Sequence, residues 1–324
     1  MNSLPDGLTD FLARSGWVGA AIYPIPGDAS FRRYFRVQHG GRKAMLMHAP
    51  PPHEDPGPFL HVADWLMTNG LRAPEIFAAD RGQGWVLLED FGDDRMRDWL
   101  DANPDGEPGA YATAIDTLAE LHAREPGPFA PYDMDAYRRE VALLTEWYCP
   151  AAGLDVDEAS YLAAWEEVLS PMLARQNPGV TVLRDYHAEN IMLLAEGAQG
   201  LIDFQDALVG HPAYDLVSLL QDARREVSPE LERAMLDRYK SKVDAGPDFE
   251  ADYARLGAQR NAKIVGIFAR LHKRDGKPRY LDMIPRVWTA MERDLAHPAL
   301  APVAAWFDAN IPADLRRQGG GSIA

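Results

Sequence analysis

The amino-acid sequence predicts an α+β fold of two lobes, an antiparallel-sheet N-lobe and a mainly helical C-lobe. Strand-like stretches with Gly and Pro punctuation fill the first part of the chain. From about residue 108 the apolar residues recur at helical spacing, and short apolar runs between residues 180 and 204 flank two polar loops. A chain of 324 residues is long enough for two moderate cores with a site in the crevice between them.

An amphipathic helix around Leu8–Arg14 leads to a strand at Ala20–Ile25, the turn-rich Gly27-Asp28-Ala29-Ser30 and a strand at Tyr34–Gln38. His39-Gly40-Gly41 is a tight turn before a third strand, Lys43–His48. After the Pro-rich loop Ala49–Pro58 comes a helix, Phe59–Asn69, stopped by Gly70, then strands near Ile76–Ala79 and Gly84–Glu89. The polar linker Glu89-Asp90-Phe91-Gly92-Asp93-Asp94 marks a hinge near residues 89–92, which sets the N-lobe at 1–92 and the C-lobe at 93–318. In the C-lobe, Tyr111–Ala123, Ala136–Tyr148 and Ala159–Gln176 read as helices, Val180–Leu183, Ile191–Leu194 and Leu201–Phe204 as small strands, and Tyr214 to Phe307 as mainly helical. Residues 319–324, beginning Gly319-Gly320-Gly321-Ser322, read as a flexible tail.

An apolar content of 47% with 25% charged residues is that of an ordinary globular protein. There is no membrane-length apolar run and no basic-then-apolar leader at the N-terminus, so a cytoplasmic protein is expected. Cys149 is the only cysteine, which rules out an intrachain disulfide and a Cys-based metal cluster. The net charge of −16 opposes binding to nucleic acid or to an anionic membrane, because both demand many Lys and Arg. A polyanionic ligand must therefore be held locally, by metal or by backbone N–H groups.

The sharpest motif is Leu183-Arg184-Asp185-Tyr186-His187-Ala188-Glu189-Asn190-Ile191, followed by Leu201-Ile202-Asp203-Phe204-Gln205-Asp206. Its spacing is that of a kinase catalytic loop and metal loop. The Asp185 carboxylate takes the proton of an acceptor hydroxyl, the Asn190 amide oxygen ligates Mg²⁺, and Asp203 at the end of the next strand completes the metal site. Such a site would transfer the γ-phosphoryl group of ATP. Each residue taken alone is equally a turn cap; the set, bracketed by apolar strands, is not.

These loops resemble the aminoglycoside phosphotransferase family, whose loop reads His-Gly-Asp-x-His-x-x-Asn with Ile-Asp-Phe/Trp-x-Asp downstream. Asp185, His187, Asn190, Asp203 and Asp206 match, while Leu183 and Arg184 stand where the family has His-Gly. The resemblance implies the two-lobed protein-kinase-like fold, with His187, Asp206 and Asp215 in supporting roles. Asp215, in Gly210-His211-Pro212-Ala213-Tyr214-Asp215, is equally readable as a helix N-cap. Gly27 to Arg36, Leu87 to Gly92, Ser218 to Arg224 and Gly266 to Pro278 together resemble one branch of the family. Its members are bacterial kinases that phosphorylate N-acetylmuramate and N-acetylglucosamine at the anomeric hydroxyl in cell-wall recycling. An N-acetyl amino sugar is thus the implied acceptor.

For the nucleotide, Ser30 and one of Arg32 or Arg33 are the phosphate candidates, on a turn that is otherwise an ordinary hairpin. Glu89 to Phe91 form the adenine-facing hinge. Met47 stands where the kinase pattern expects a strand Lys, and only Asp64 is available on the following helix as its acidic partner, so no ion pair is assigned. Lys43 or an arginine from the preceding loop is the substitute, and a pseudokinase is the alternative. For the acceptor, Arg270 and Lys273 belong to a basic cluster that either meets an anionic group or complements a helix dipole. Trp147, Tyr148 and Tyr186 are stacking candidates that also read as core, with Tyr186 foremost because it adjoins the base. Kinases of an aminoglycoside, choline or homoserine remain alternatives.

Overall fold

The computed structural model describes residues 4–26, 31–321 and 323. The chain forms two compact units, Met1–Ala102 with Glu189–Asp206 and Asn103–Ala188 with Ala207–Ala324.

The first unit is built on a five-stranded antiparallel sheet of β1 (Ala21–Ile25), β2 (Arg33–His39), β3 (Arg42–His48), β4 (Ile76–Asp80) and β5 (Trp85–Leu88), in the order β1-β2-β3-β5-β4. Side chains alternate across a strand, so each face collects every second residue. Phe35 and Val37 lie opposite Leu46 and Ala44, and with Trp85 and Leu87 they bury Leu8, Phe11 and Leu12 of α1 (Leu8–Arg14) and Trp17. The other face carries Tyr34, Arg36, Met45 and Met47. Gly84, at φ +75°, lets the β4–β5 turn approach Ala49, where an added Cβ would meet the Ala49 carbonyl oxygen at 1.9 Å. Helix α2 (Gly57–Thr68) buries Phe59, Val62, Ala63 and Leu66, a stripe at helical spacing.

The boundary expected at residue 92 falls ten residues later, after α3 (Met96–Ala102). Arg36 of β2 binds the linker through Asp90 at 2.6 Å, Asp93 at 2.9 Å and the Gly92 carbonyl at 3.1 Å, which keeps 90–93 with the sheet. Farther along the chain lie β6 (Val180–Val182), β7 (Ile191–Leu193), β8 (Gln199–Leu201) and β9 (Leu208–Gly210). The β7–β8 hairpin belongs to the first unit, where Leu201 N–H donates to the Arg72 carbonyl at 2.8 Å.

In the second unit, β6 pairs with β9 among helices α4 (Glu107–His122), α5 (Met134–Leu143), α6 (Cys149–Ala151), α7 (Glu158–Arg175), α8 (Ala213–Leu220), α9 (Pro229–Lys240), α10 (Phe249–Lys273), α11 (Ile284–Leu295), α12 (Ala301–Asn310) and α13 (Ala313–Arg317). A π-helical turn, Leu144–Tyr148, continues α5. Asp133, Asp157 and Ser228 cap α5, α7 and α9 by accepting backbone N–H bonds. The glycine run expected to fray is held instead: the Tyr148 hydroxyl donates to the Gly320 carbonyl at 2.6 Å, and Ile323 is buried. Ser322 and Ala324 lie outside the described residues.

Helix α10 packs on α5 closely enough that a Cβ at Gly266 would meet the Leu143 carbonyl at 2.3 Å. That approach brings a buried acid, Glu140, among cations. Its Oε1 accepts from Lys263 Nζ at 2.9 Å and Arg184 Nη2 at 2.5 Å, while Oε2 takes the Tyr132 hydroxyl and Gln259 Nε2 at 3.1 Å. Burial favours protonation of Glu140, but Lys263, Arg184 and the Tyr132 bond outweigh it and hold the carboxyl down at about 2. Its folded value is below the ordinary 4.5, so this stabilisation is present above pH 4.5 and is lost as pH falls toward 2. Replacing Glu140 by Gln strands two cations and should cost roughly 3 kcal/mol or more at neutral pH. Urea unfolding should show that deficit at pH 7 and a smaller one at pH 3; equal deficits would contradict the ion-pair account.

Candidate active site

In the second unit the chain leaves β6 and turns sharply. Asp215, fully buried in the first turn of α8, accepts the Leu183 N–H at 2.6 Å and the Arg184 N–H at 2.8 Å. Both carboxylate oxygens are thus used on the loop. Burial raises the Asp215 pKa to about 7, against the lowering effect of those two amides and Arg260. Arg184 has φ +71°, a conformation that costs a non-glycine residue roughly 1 kcal/mol. The resembling family carries Gly at this position, and here the side chain is secured by Glu140 and lies over the Tyr132 ring at 5.6 Å. Its carbonyl accepts from Ser218 at 3.2 Å, and Ser218 in turn accepts from Arg260 at 2.8 Å.

Asp185 follows, its N–H donating to the Leu183 carbonyl at 2.9 Å. Burial raises its pKa, but Lys263, His187, Arg260 and Arg184 together hold it below the usual carboxylate range. An ionised carboxylate results, able to accept a proton from a hydroxyl. His187 is buried, which lowers its pKa and leaves the ring neutral, with Nε2 at 3.5 Å from Arg224 Nη1.

In the first unit, Asn190 and Asp203 stand at opposite ends of the β7–β8 hairpin and converge. Asn190 Nδ2 lies 3.4 Å from Asp203 Oδ2, and Ile202 N–H donates to the Asn190 carbonyl at 3.1 Å. Asp203 takes the left-handed conformation, φ +60°, between the strand and the buried Phe204, which stacks on Phe59 of α2 at 5.1 Å. Among the described residues no group of three or more His, Cys, Asp or Glu forms a metal site. A carboxylate and an amide oxygen nonetheless suit Mg²⁺, which takes hard oxygen ligands and uses few protein groups beside substrate phosphates. A half-turn of the Asn190 side-chain amide presents its oxygen beside Asp203 in place of Nδ2. Asp206 is exposed.

The sheet separates the two arginine candidates. Arg32 shares the parity of Tyr34 and Met47; Arg33 is on the opposite face, its guanidinium 5.2 Å from the Phe35 ring centroid. Arg32 Nε donates to Glu54 Oε2 at 3.3 Å. Burial works against its charge, while Tyr34, Glu54 and Asp203 favour it and raise its pKa above the ordinary value. Met47 is fully buried beneath the Tyr34 hydroxyl, 3.4 Å from its sulfur. Ser30 lies outside the described residues. In the hinge segment, the Glu89 carboxylate pairs with Arg72 at 2.5 and 2.7 Å, and Arg72 covers the Phe91 ring at 4.8 Å. Phe91 also fills the space over Gly200, where a Cβ would approach its ring to 2.6 Å. Phe91 thus joins the hinge to the β7–β8 hairpin, while Glu89 ties it to Arg72, ahead of β4.

The acceptor candidates separate as well. Tyr186 is 2% exposed and donates its hydroxyl to the Ala114 carbonyl at 2.8 Å, so it anchors the loop that carries Asp185 to α4 and presents no face for stacking. Tyr148 is buried too, leaving Trp147, half-buried on the π-helical turn, as the accessible aromatic of the three. Lys273 is exposed; Arg270 is half-buried, and its Nε is buried without a hydrogen-bond partner among the described residues. Sequence reasoning missed Glu140, Lys263 and Glu54. Glu140 and Lys263 are single charges on helices whose partners are distant in sequence, and Glu54 sits in a Pro-rich loop with no local signal.

The chain matches the phosphotransferase enzyme family over residues 21–258. It is 39% identical to an N-acetylmuramate/N-acetylglucosamine kinase of Caulobacter vibrioides, over 95% of this chain and 96% of that protein. It is 38% identical to a protein of the same name from Pseudomonas aeruginosa, over 91% and 90%. Among solved structures, a choline kinase from Streptococcus pneumoniae is 13% identical with a TM-score of 0.63 over 92% of this chain and 98% of that one. An ADP-bound aminoglycoside phosphotransferase is 16% identical with a TM-score of 0.62 over 94% and 99%. The last two likenesses are likenesses of fold, the protein-kinase-like fold the sequence predicts. With residues 183–206 inside the matched span, the chain belongs to the phosphotransferase enzyme family.

Proposed function

We propose that the protein is an ATP- and Mg²⁺-dependent kinase of N-acetylmuramate and N-acetylglucosamine, acting on the anomeric hydroxyl in the cytoplasm to yield sugar 1-phosphates for peptidoglycan recycling. The observation that carries it is the pair of relatives of that name, 38% and 39% identical over nine-tenths or more of both chains. The fold neighbours named as choline and aminoglycoside enzymes are 13% and 16% identical and carry no preference for those acceptors.

In this reading Asp185 orients the acceptor hydroxyl and receives its proton as the oxygen bonds to the γ-phosphorus and the bond to the ADP oxygen breaks. Lys263, Arg260 and Arg184 keep Asp185 ionised before the step. Asn190 and Asp203 would hold Mg²⁺, which when bound neutralises phosphate charge. His187, Asp206 and Asp215 support the loops, Asp215 through the two amides it accepts. Lys263 and Arg270 lie seven residues apart on α10, hence on one face and about 10 Å apart along the axis. Lys263 is close enough to Asp185 to influence its charge, so Arg270 can reach a substituent several ångströms from the reacting oxygen. The lactyl carboxylate of N-acetylmuramate is such a group, and Trp147, on the π-helical turn packed against α10, would face the ring.

Release of ADP by the full chain should require Mg²⁺ and one of the two sugars, with phosphorus NMR assigning the product phosphate to the anomeric oxygen. Turnover with choline or an aminoglycoside alone would overturn the reading. Asp185→Asn should lower kcat by about 10²–10⁴-fold while leaving ADP binding intact. Arg270→Gln should raise KM for N-acetylmuramate roughly 10-fold or more and leave N-acetylglucosamine nearly unchanged, which steady-state kinetics on both sugars will measure.

A further inference from the structure

A kinase of this fold needs a cation against the nucleotide phosphates, and β3 offers none at the expected place: Met47 is fully buried and apolar. The same sheet face carries three basic side chains near it. Lys43 is exposed, at the far end of the strand and opposite Gln38. Arg36 is committed to the linker carboxylates Asp90 and Asp93. Arg32, just before β2, lies on this face with Tyr34, and its side chain is only 16% exposed.

Arg32 is also oriented. Glu54 Oε2 takes its Nε at 3.3 Å, and Glu54 is itself only 19% exposed. The loop that carries Glu54 is tied down twice. His53 and Glu54 N–H both donate to the Pro50 carbonyl, at 3.0 and 3.1 Å, and the His53 ring stacks on Phe31 at 5.1 Å, beside Arg32 in the chain. A planar guanidinium held at Nε has its orientation fixed, which suits it to phosphate oxygens. Arg32 and Asp203 belong to the same unit, and the charge of Asp203 favours that of Arg32.

Resting on the kinase reading, we propose that Arg32, oriented by Glu54, grips the nucleotide phosphates in place of the missing strand lysine, an Arg–Glu pair from two loops replacing a Lys–Glu pair from strand and helix. The site takes the diphosphate portion of an adenine nucleotide with its divalent cation. The Glu54 carboxylate balances the Arg32 guanidinium until phosphate oxygens take its place around it.

The test compares ligands that differ only in phosphate. Binding of Mg²⁺–ADP and of adenosine to the full chain is measured by calorimetry or ligand-observed NMR, for the parent and for Arg32→Met, Arg32→Lys and Glu54→Gln. Arg32→Met should weaken Mg²⁺–ADP roughly 10–100-fold and shift adenosine by less than about 3-fold; Arg32→Lys and Glu54→Gln should fall between it and the parent. In turnover, Arg32→Met should raise KM for ATP and lower kcat, with KM for the sugar unchanged. Unaltered ADP binding in Arg32→Met would overturn the proposal, and so would parallel loss of ADP and adenosine, the mark of a merely structural residue. Should the parent turn over neither sugar, the sugar-kinase reading fails while the ADP–adenosine comparison still decides the clamp.

Discussion

The buried carboxylate of Glu140 is the interaction on which the second unit depends. It receives Lys263 and Arg184 together; Arg184 directly precedes Asp185, and the charge of Lys263 is felt at Asp185. Arg184 must adopt a left-handed backbone so that the chain turns out of β6 and delivers Asp185. The family pattern meets that demand with glycine, which has no Cβ to clash. Here a long side chain takes the position, and its ion pair and its contact with the Tyr132 ring offset the conformational cost. Gly266 allows the whole arrangement by letting α10 approach α5 at Leu143.

A buried ion network is weak evidence for stability as such, since well-packed apolar residues of equal volume are often as favourable. Its value here lies in what it does to Asp185. That carboxylate is half-buried, and desolvation alone would drive it toward the protonated form. Lys263 and Arg184 reverse that tendency, and Glu140 keeps both cations ionised and fixed. An apolar replacement would preserve packing but leave the Asp185 carboxylate to burial. Asp215 answers the same backbone problem from the other side, accepting the two amides that the sharp turn removes from any strand.

The candidate site was picked out because its spacing is local: Asp185, Asn190 and Asp203, with Asp206 beside them, fall within a short stretch bracketed by apolar runs. The five strands and the helix between the third and fourth were legible for the same reason, through periodicity and Gly or Pro breaks. Glu140, 44 residues from Arg184 and 123 from Lys263, had no local mark. Nor did Glu54, 22 residues from Arg32. The choice between Arg32 and Arg33 needed the register of β2, since a single residue reverses the face a side chain occupies. Of the two readings of Tyr186, stacking candidate or core, the structure takes the second: proximity to Asp185 in sequence says nothing of direction, and the ring turns inward to Ala114. The glycine tail read as loose because composition cannot register one hydroxyl, that of Tyr148, reaching 172 residues along the chain.

A chain with net charge −16 that handles a polyanion has to arrange cations without acquiring a basic surface. The solution repeats. Arg32 is set by Glu54, Arg36 by Asp90 and Asp93, Arg72 by Glu89, and Lys263 with Arg184 by Glu140. Each cation is fixed by a carboxylate and so is already ordered before a ligand arrives, which reduces the side-chain entropy that binding must remove. Each pair also limits the field to its immediate surroundings, where screening by salt is weakest for partly buried groups. The acidic remainder of the surface then repels other polyanions.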